Sequence, residues 1–187
     1  MFGGFEMIKH DSMRGYFAYE LYQQMKKKNN IWLLVGDLGY KVFDSIRDDF
    51  PDRFINVGAS EQSLLDISCG LALEGKIPFV YSITTFLLYR PFETIRNYIN
   101  HEEIPVRLIG SGRDKDYAHD GFSHWSEDTE GLFTQANIDN RPGSTQYYLP
   151  GIFGNINPYW PETKEEIPGI VNDMIKSDKP SFLSLRR

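Results

Sequence analysis

The stretch RFINVGASEQSLLDISCGLALEGKIPFVYS, Arg53 to Ser82, decides the fold class. It opens with the short apolar run Phe54 to Val57, turns at Gly58, and continues through Ser60 to Glu74 with a helical spacing of apolar residues. It closes with a second apolar run, Ile77 to Tyr81. Apolar runs too short for a helix and without polar alternation predict strands covered on both faces, as in parallel sheets. A strand, a helix and a second strand in this order make one crossover unit.

The same rhythm extends in both directions. Ile31 to Val35, Val106 to Ile109 and Phe182 to Leu185 are further runs of the strand kind. Helical patterns lie between them at Val42 to Phe50, Arg90 to Asn100 and Lys164 to Lys176. Before the first strand, Asp11 offers a polar cap, and Met13, Phe17, Leu21 and Met25 form one apolar helix face that ends at Lys26 to Lys28, where cations suit a helix C-terminus. The expected fold class is α/β: a three-layer α/β/α arrangement with a mostly parallel sheet, built as a single domain over 1–187. The segment 133–159 breaks the rhythm. It is rich in Asn, Gly, Pro and aromatic residues, holds one short expected strand at Thr145 to Leu149, and reads as an irregular insertion.

Composition narrows the function. The chain has 187 residues and a formal net charge of -6, and its few basic clusters form no stripe able to neutralise a phosphate backbone, which argues against nucleic acid. No apolar run approaches the roughly 20 residues that span a bilayer, and the N-terminus lacks a signal pattern, so no membrane is expected and the cytoplasm is the expected location. The single cysteine, Cys69, reads as a small buried apolar residue.

In an open parallel sheet, ligands sit beyond the carboxyl ends of the strands, which directs attention to three segments. The first holds Glu61, in the opening turn of the helix after Gly58. A helix dipole alone accommodates an acid there, but this loop is also where a ligand would meet it. The second is TTFLLYRPFETIRNYI, Thr84 to Ile99, with Phe86, Tyr89 and Phe92 spaced by three; Phe92 reads equally as core. The third is GSGRDKDYAHDGFSHWSEDTE, Gly110 to Glu130, which crowds His119, Asp120 and His124 into one loop. Histidines and carboxylates so placed suit proton transfer or plain surface polarity.

The strings NVGASEQ and GLALEGKIPFVY, with these segments in order, resemble the pyrimidine-binding domain of transketolases and of deoxyxylulose phosphate synthases from about Ser12 to Arg186. The resemblance implies the thiamine diphosphate-binding pyrimidine-domain fold. It implies that Glu61 hydrogen-bonds a ring nitrogen of the cofactor's aminopyrimidine and favours the tautomer that activates the thiazolium ring. It also implies that Phe86 and Tyr89 wall that ring, that Asp120 and His124 face substrate hydroxyls with His119 beside them, that Arg14 meets a sugar phosphate, and that Asp37, in GDLG, belongs to the cofactor site. Phe122 and Ser123 stand where the family usually has Pro and Thr, which leaves the substrate open.

Two features of that family have no counterpart here. No G-D-G motif with a following asparagine is present to hold Mg²⁺ and a diphosphate, and the chain stops at LSLRR, where a full transketolase continues. The expectation is a split enzyme. A separate chain carries the diphosphate-binding domain and Mg²⁺, with no metal in this one, in a heterotetramer or around a homodimer of this chain. The expected activity is transfer of a two-carbon ketol or acyl unit between sugars or sugar phosphates. The alternatives are a deoxyxylulose phosphate synthase-like condensing subunit and a non-catalytic module of the same fold.

Overall fold

The computed structural model describes residues 7, 9–133 and 151–187, together with the backbone of 136–137 and 148–149. Its main sheet is built from β1 (Ile31–Val35), β2 (Phe54–Asn56), β3 (Ile77–Ile83), β4 (Arg107–Ser111), β7 (Asn157–Tyr159) and β8 (Ser181–Leu185). These six strands are parallel and lie in the order β2-β1-β3-β4-β8-β7. A separate antiparallel pair is formed by β5 (Ala136–Asn137) and β6 (Tyr148–Leu149).

The two cores explain the continuous apolar runs. Leu33, Val35, Phe79, Tyr81, Ile109, Leu183 and Leu185 face one way, against α1 (Met13–Lys27), α2 (Asp44–Asp49) and α6 (Ile167–Lys176). Leu34, Val80, Leu108 and Phe182 face the other, against α3 (Glu61–Leu73) and α4 (Thr84–Tyr89). Each strand thus alternates in direction while staying apolar, because both faces are covered. Phe17, Leu21 and Met25 of the expected α1 face are fully buried. The cap of α1 is Ser12 rather than Asp11: the Ser12 side chain accepts from Gly15 N at 3.1 Å.

Two further differences from the sequence reading have plain causes. The expected helix Arg90 to Asn100 is broken: α4 stops at Tyr89, and after Pro91 the chain forms α5 (Phe92–Thr94) and a wide π-helical turn, Ile95–His101. Proline lacks the amide hydrogen that a continuous helix needs there. The strand β7 was not expected, since Pro158 interrupts it, but it lies at the sheet edge, where a missing donor is tolerated. Within the irregular segment, Tyr148 and Leu149 of the expected strand pair with Asn137 and Ala136, while 145–147 lie outside the described residues. Phe153 at its end is fully buried, and Phe133 at its start stacks on Phe182 with centroids 4.7 Å apart.

This topology positions the site. From β1 the chain passes through α2 on one face to β2, and from β2 through α3 on the opposite face to β3, so the direction of winding switches between β1 and β3. Crevices open at the carboxyl ends of strands at such a switch. Among the described residues no helix is long and apolar enough to cross a membrane.

Candidate functional site

Gly58, with φ +73, turns the chain from β2 into α3 and delivers Glu61 to the first helical position, above the carboxyl end of β3. Its side chain is buried, with 3% of the residue exposed. Ser82 Oγ, on β3, donates to Glu61 Oε1 at 3.3 Å, and Arg90 Nη1 donates to Oε2 at 2.8 Å. A carboxylate withdrawn from water is stable only with such partners.

Phe86, in α4, is linked to this carboxylate through Arg90. The Arg90 guanidinium lies over its ring, with Cζ 3.7 Å from the centroid. His124 meets the same ring edge-on at 4.8 Å between centroids. The loop after β4 is tied down to make that contact: Thr85 Oγ1 donates to Ser123 O at 2.9 Å, and Thr84 Oγ1 to Gly112 O at 2.7 Å. His124 Nδ1 is itself 3.0 Å from Ser123 Oγ.

A second group continues from His124. Its ring lies 6.3 Å from that of Tyr117, which also lies 6.3 Å from His119. Tyr117 packs where a side chain on Gly112 would stand, 2.3 Å from the position of its Cβ, so only glycine fits. The Tyr117 hydroxyl is 3.1 Å from Ser111 Oγ. Burial pushes the ionisation of the Tyr81 phenol upward, and Ser111 and Arg14 beside it pull it back in part. Arg14 Nε is buried without a hydrogen-bond partner among the described residues. It is a donor in reserve beside a cluster of hydroxyls.

The sequence-derived candidates therefore separate. Glu61, Phe86 and His124 form one connected wall, and Arg14 and His119 join it through Tyr117 and the hydroxyls. Asp120 is exposed and paired with its neighbour His119, with Nε2 to Oδ2 at 3.2 Å. Tyr89 turns toward the loop: burial first, then a hydrogen bond with Asp128, pushes its phenol up, and it shares no contact with Glu61 among those described. Asp37, at φ +58, accepts from Tyr40 at 2.8 Å and from Asn56 at 3.2 Å, and these bonds, Tyr40 first, hold its pKa below the usual carboxylate value. It ties the β1 loop to the end of β2 rather than touching the wall. Phe92 packs on Phe153 at 5.4 Å, in the core.

Arg90 is absent from the sequence-derived candidates because the aromatic spacing of three passes over it. Arg90 is four residues after Phe86, and i,i+4 residues share a helix face, which is the signal that could have found it. Ser82, Tyr117 and Tyr81 were also missed; nothing local marks them, since only the sheet brings them to one edge. Among the described residues no three or more His, Cys, Asp and Glu side chains gather as metal ligands would.

The arrangement sets the buried carboxylate of Glu61 and the aromatic face of Phe86 on either side of the Arg90 guanidinium, with histidines and a basic group beyond. It suits a flat polar heterocycle followed by a hydroxylated or anionic substituent.

Comparison with known proteins gives the family of the chain. The family described as "Transketolase, pyrimidine binding domain" matches residues 10–187. A "Putative transketolase C-terminal section" of Methanocaldococcus jannaschii is 32% identical over 116 residues, covering 62% of this chain and 37% of that protein. One of the subunits of an apulose-4-phosphate transketolase of Actinobacillus succinogenes is 28% identical over 137 residues, covering 73% of this chain and 39% of that protein. The chain thus spans less than half the length of these relatives. Among solved structures, a "Split gene transketolase, inactive beta4 tetramer" superposes with a TM-score of 0.74 at 25% identity, over 95% of this chain and 52% of that one.

Proposed function

The chain belongs to the transketolase pyrimidine-binding domain family, and from that premise we propose that it supplies the aminopyrimidine side of a thiamine diphosphate site shared with a second chain. The observation that carries this reading is Glu61: a carboxylate 3% exposed, at the switch point of the sheet, joined to Phe86 through the Arg90 guanidinium that bonds the one and lies over the other. The fit is supported by what lies there already. A planar group with in-plane N–H donors, the Arg90 guanidinium, already bonds the one residue and lies over the ring of the other.

Within this reading Glu61, in its acid form, donates a hydrogen bond to a ring nitrogen of the aminopyrimidine, and Ser82 orients the carboxyl group. Phe86 provides the flat wall and excludes water from one side. When bound, the cofactor supplies the nucleophilic carbon and the electron sink for carbon–carbon cleavage and formation. His124, held against Phe86 and bonded to Ser123, stands where it can hold or pass a proton at a substrate hydroxyl, with His119 and Asp120 farther along the loop. Arg14, with its unused Nε, is assigned to the anionic end of a sugar phosphate. The diphosphate and Mg²⁺ are assigned to a separate partner chain, a reading supported by the section, subunit and split-gene names of the relatives. The reaction class is transfer of a two-carbon ketol unit.

The test is calorimetric titration of thiamine diphosphate with Mg²⁺ into this chain, into the candidate partner and into their mixture. Strong binding in the mixture only, with turnover of ketose and aldose phosphates lost in Glu61→Ala, is the expected result. Absence of binding in the mixture overturns the reading. Turnover with pyruvate as donor instead of a ketose transfers it to the condensing class.

A further inference from the structure

Arg90 touches both residues assigned to the aminopyrimidine. Its Nη1 donates to Glu61 Oε2 at 2.8 Å, and its Cζ lies 3.7 Å from the centroid of Phe86. The geometry has a local origin: Phe86 lies in α4, and Arg90, at φ −67 and ψ −51, continues its helical backbone for one residue before Pro91. The two side chains therefore lie on one face, four residues apart. A guanidinium is flat, delocalised and rimmed with N–H donors, so it can stack on a ring and bond a carboxylate at the same time, which a lysine cannot.

We propose that Arg90 is a built-in occupant of the aminopyrimidine position, closing the slot between Glu61 and Phe86 in the free chain, and that the cofactor's ring binds by displacing it. This rests on the reading above that Glu61 and Phe86 hold that ring. A difference in exposure makes Arg90 the group that moves. The Arg90 side chain is 47% exposed, whereas that of Glu61 is 3% exposed. The cation can swing outward and regain water, giving up a half-buried ion pair. Glu61 cannot follow, and left alone in its buried place it would lack a strong partner. The occupant thus keeps Glu61 bonded until a ligand brings its own hydrogen bond.

The same exchange confers selectivity. A ring that stacks on Phe86 but offers no hydrogen bond to Glu61 must displace Arg90 without compensation. Arg90 therefore discriminates against such rings, and its effect should be largest for ligands lacking the ring nitrogen that meets Glu61.

The experiment titrates thiamine diphosphate with Mg²⁺ into the complex of this chain with its diphosphate-domain partner, comparing the unaltered chain with Arg90→Met and Arg90→Lys. Met keeps an apolar stem over Phe86 and removes the charge and the plane; Lys keeps the charge alone. The expected result is binding about fivefold tighter for Arg90→Met, from removing a half-buried ion pair and a cation–π contact that the ligand must otherwise break, with Arg90→Lys between the two. Thermal melting and circular dichroism of each free variant establish that it is folded. If the unaltered complex binds the cofactor and Arg90→Met binds it equally or more weakly, Arg90 supports the ligand rather than yielding to it. The proposal is then overturned while the reading of Glu61 stands. If neither complex binds, the two fall together.

Discussion

The imidazole of His124 stands edge-on to the ring of Phe86, with centroids 4.8 Å apart, although the two residues come from different crossovers of the sheet. The contact is enforced by Thr85, next to Phe86, which donates to the carbonyl of Ser123, next to His124. The helix that carries Phe86 and the loop that carries His124 are thereby linked through one hydrogen bond. His124→Ala should leave cofactor affinity within about tenfold, since an edge-on aromatic contact is worth about 0.5 to 1.5 kcal/mol, while reducing turnover by about 100-fold or more. Steady-state rates and calorimetric affinity of the same variant separate the two effects; equal losses in both would place His124 in cofactor binding.

Glu61→Gln preserves size and an acceptor for Ser82 while removing the acid. The fold should persist, with a melting temperature within a few degrees of the parent, and turnover of the assembled enzyme should fall by about 100-fold or more. Turnover near the parent level would remove Glu61 from the chemistry.

Arg107 tests the scaffold rather than the site. It is almost fully buried, and it donates to Met174 O at 2.8 Å and to the carbonyls of Pro105 and Ser177. These bonds satisfy the carboxyl end of α6. Burial lowers its pKa to about 10, still far above neutrality. Arg107→Met leaves buried carbonyls without partners and should cost about 3 kcal/mol, a drop in melting temperature of roughly 6 to 12 °C.

The capping box of Thr163 and Glu166 carries a pH dependence of definite sign. Hydrogen bonds to Glu166, the amide of Thr163 first, lower its pKa below the ordinary 4.5. A depressed folded value means stability present above pH 4.5 and lost as pH falls through the folded value. The melting difference between the parent and Glu166→Gln should be positive at neutral pH and shrink on acidification. A difference independent of pH would assign the capping to geometry alone.

Cys69 should be inert. Burial, followed by the nearby Asp66, pushes its thiol up to about 12. Below about pH 8 the thiolate is scarce, so a disulfide reagent should label Cys69 slowly in the folded chain and rapidly in denaturant. Fast labelling of the folded chain would show that α3 opens there.

Much of this molecule is legible along the chain, and the reason is period and punctuation. The runs at Ile31, Ile77 and Val106 are almost wholly apolar because β1, β3 and β4 are covered on both faces, whereas the run at Phe54, on half-buried edge strand β2, carries Asn56, and the run at Phe182 carries the buried Ser184. Gly58 and Ser60 mark the turn that presents Glu61. Edge strand β7 was not legible, because Asn157 and Pro158 carry no strand signal and pair only because β8 already offers its edge. The contact of Arg90 with Glu61, across 29 residues, and the gathering of Arg14, Tyr81, Ser111 and Tyr117 were equally hidden. By itself the sequence determined the alternation of strands and helices, the two-sided core and the carboxylate at the mouth of α3, since these follow from hydrophobic period and local turn chemistry. Only the tertiary structure decided which side chains meet that carboxylate, because parallel pairing sets residues from distant crossovers side by side at one sheet edge, and no local pattern encodes that proximity.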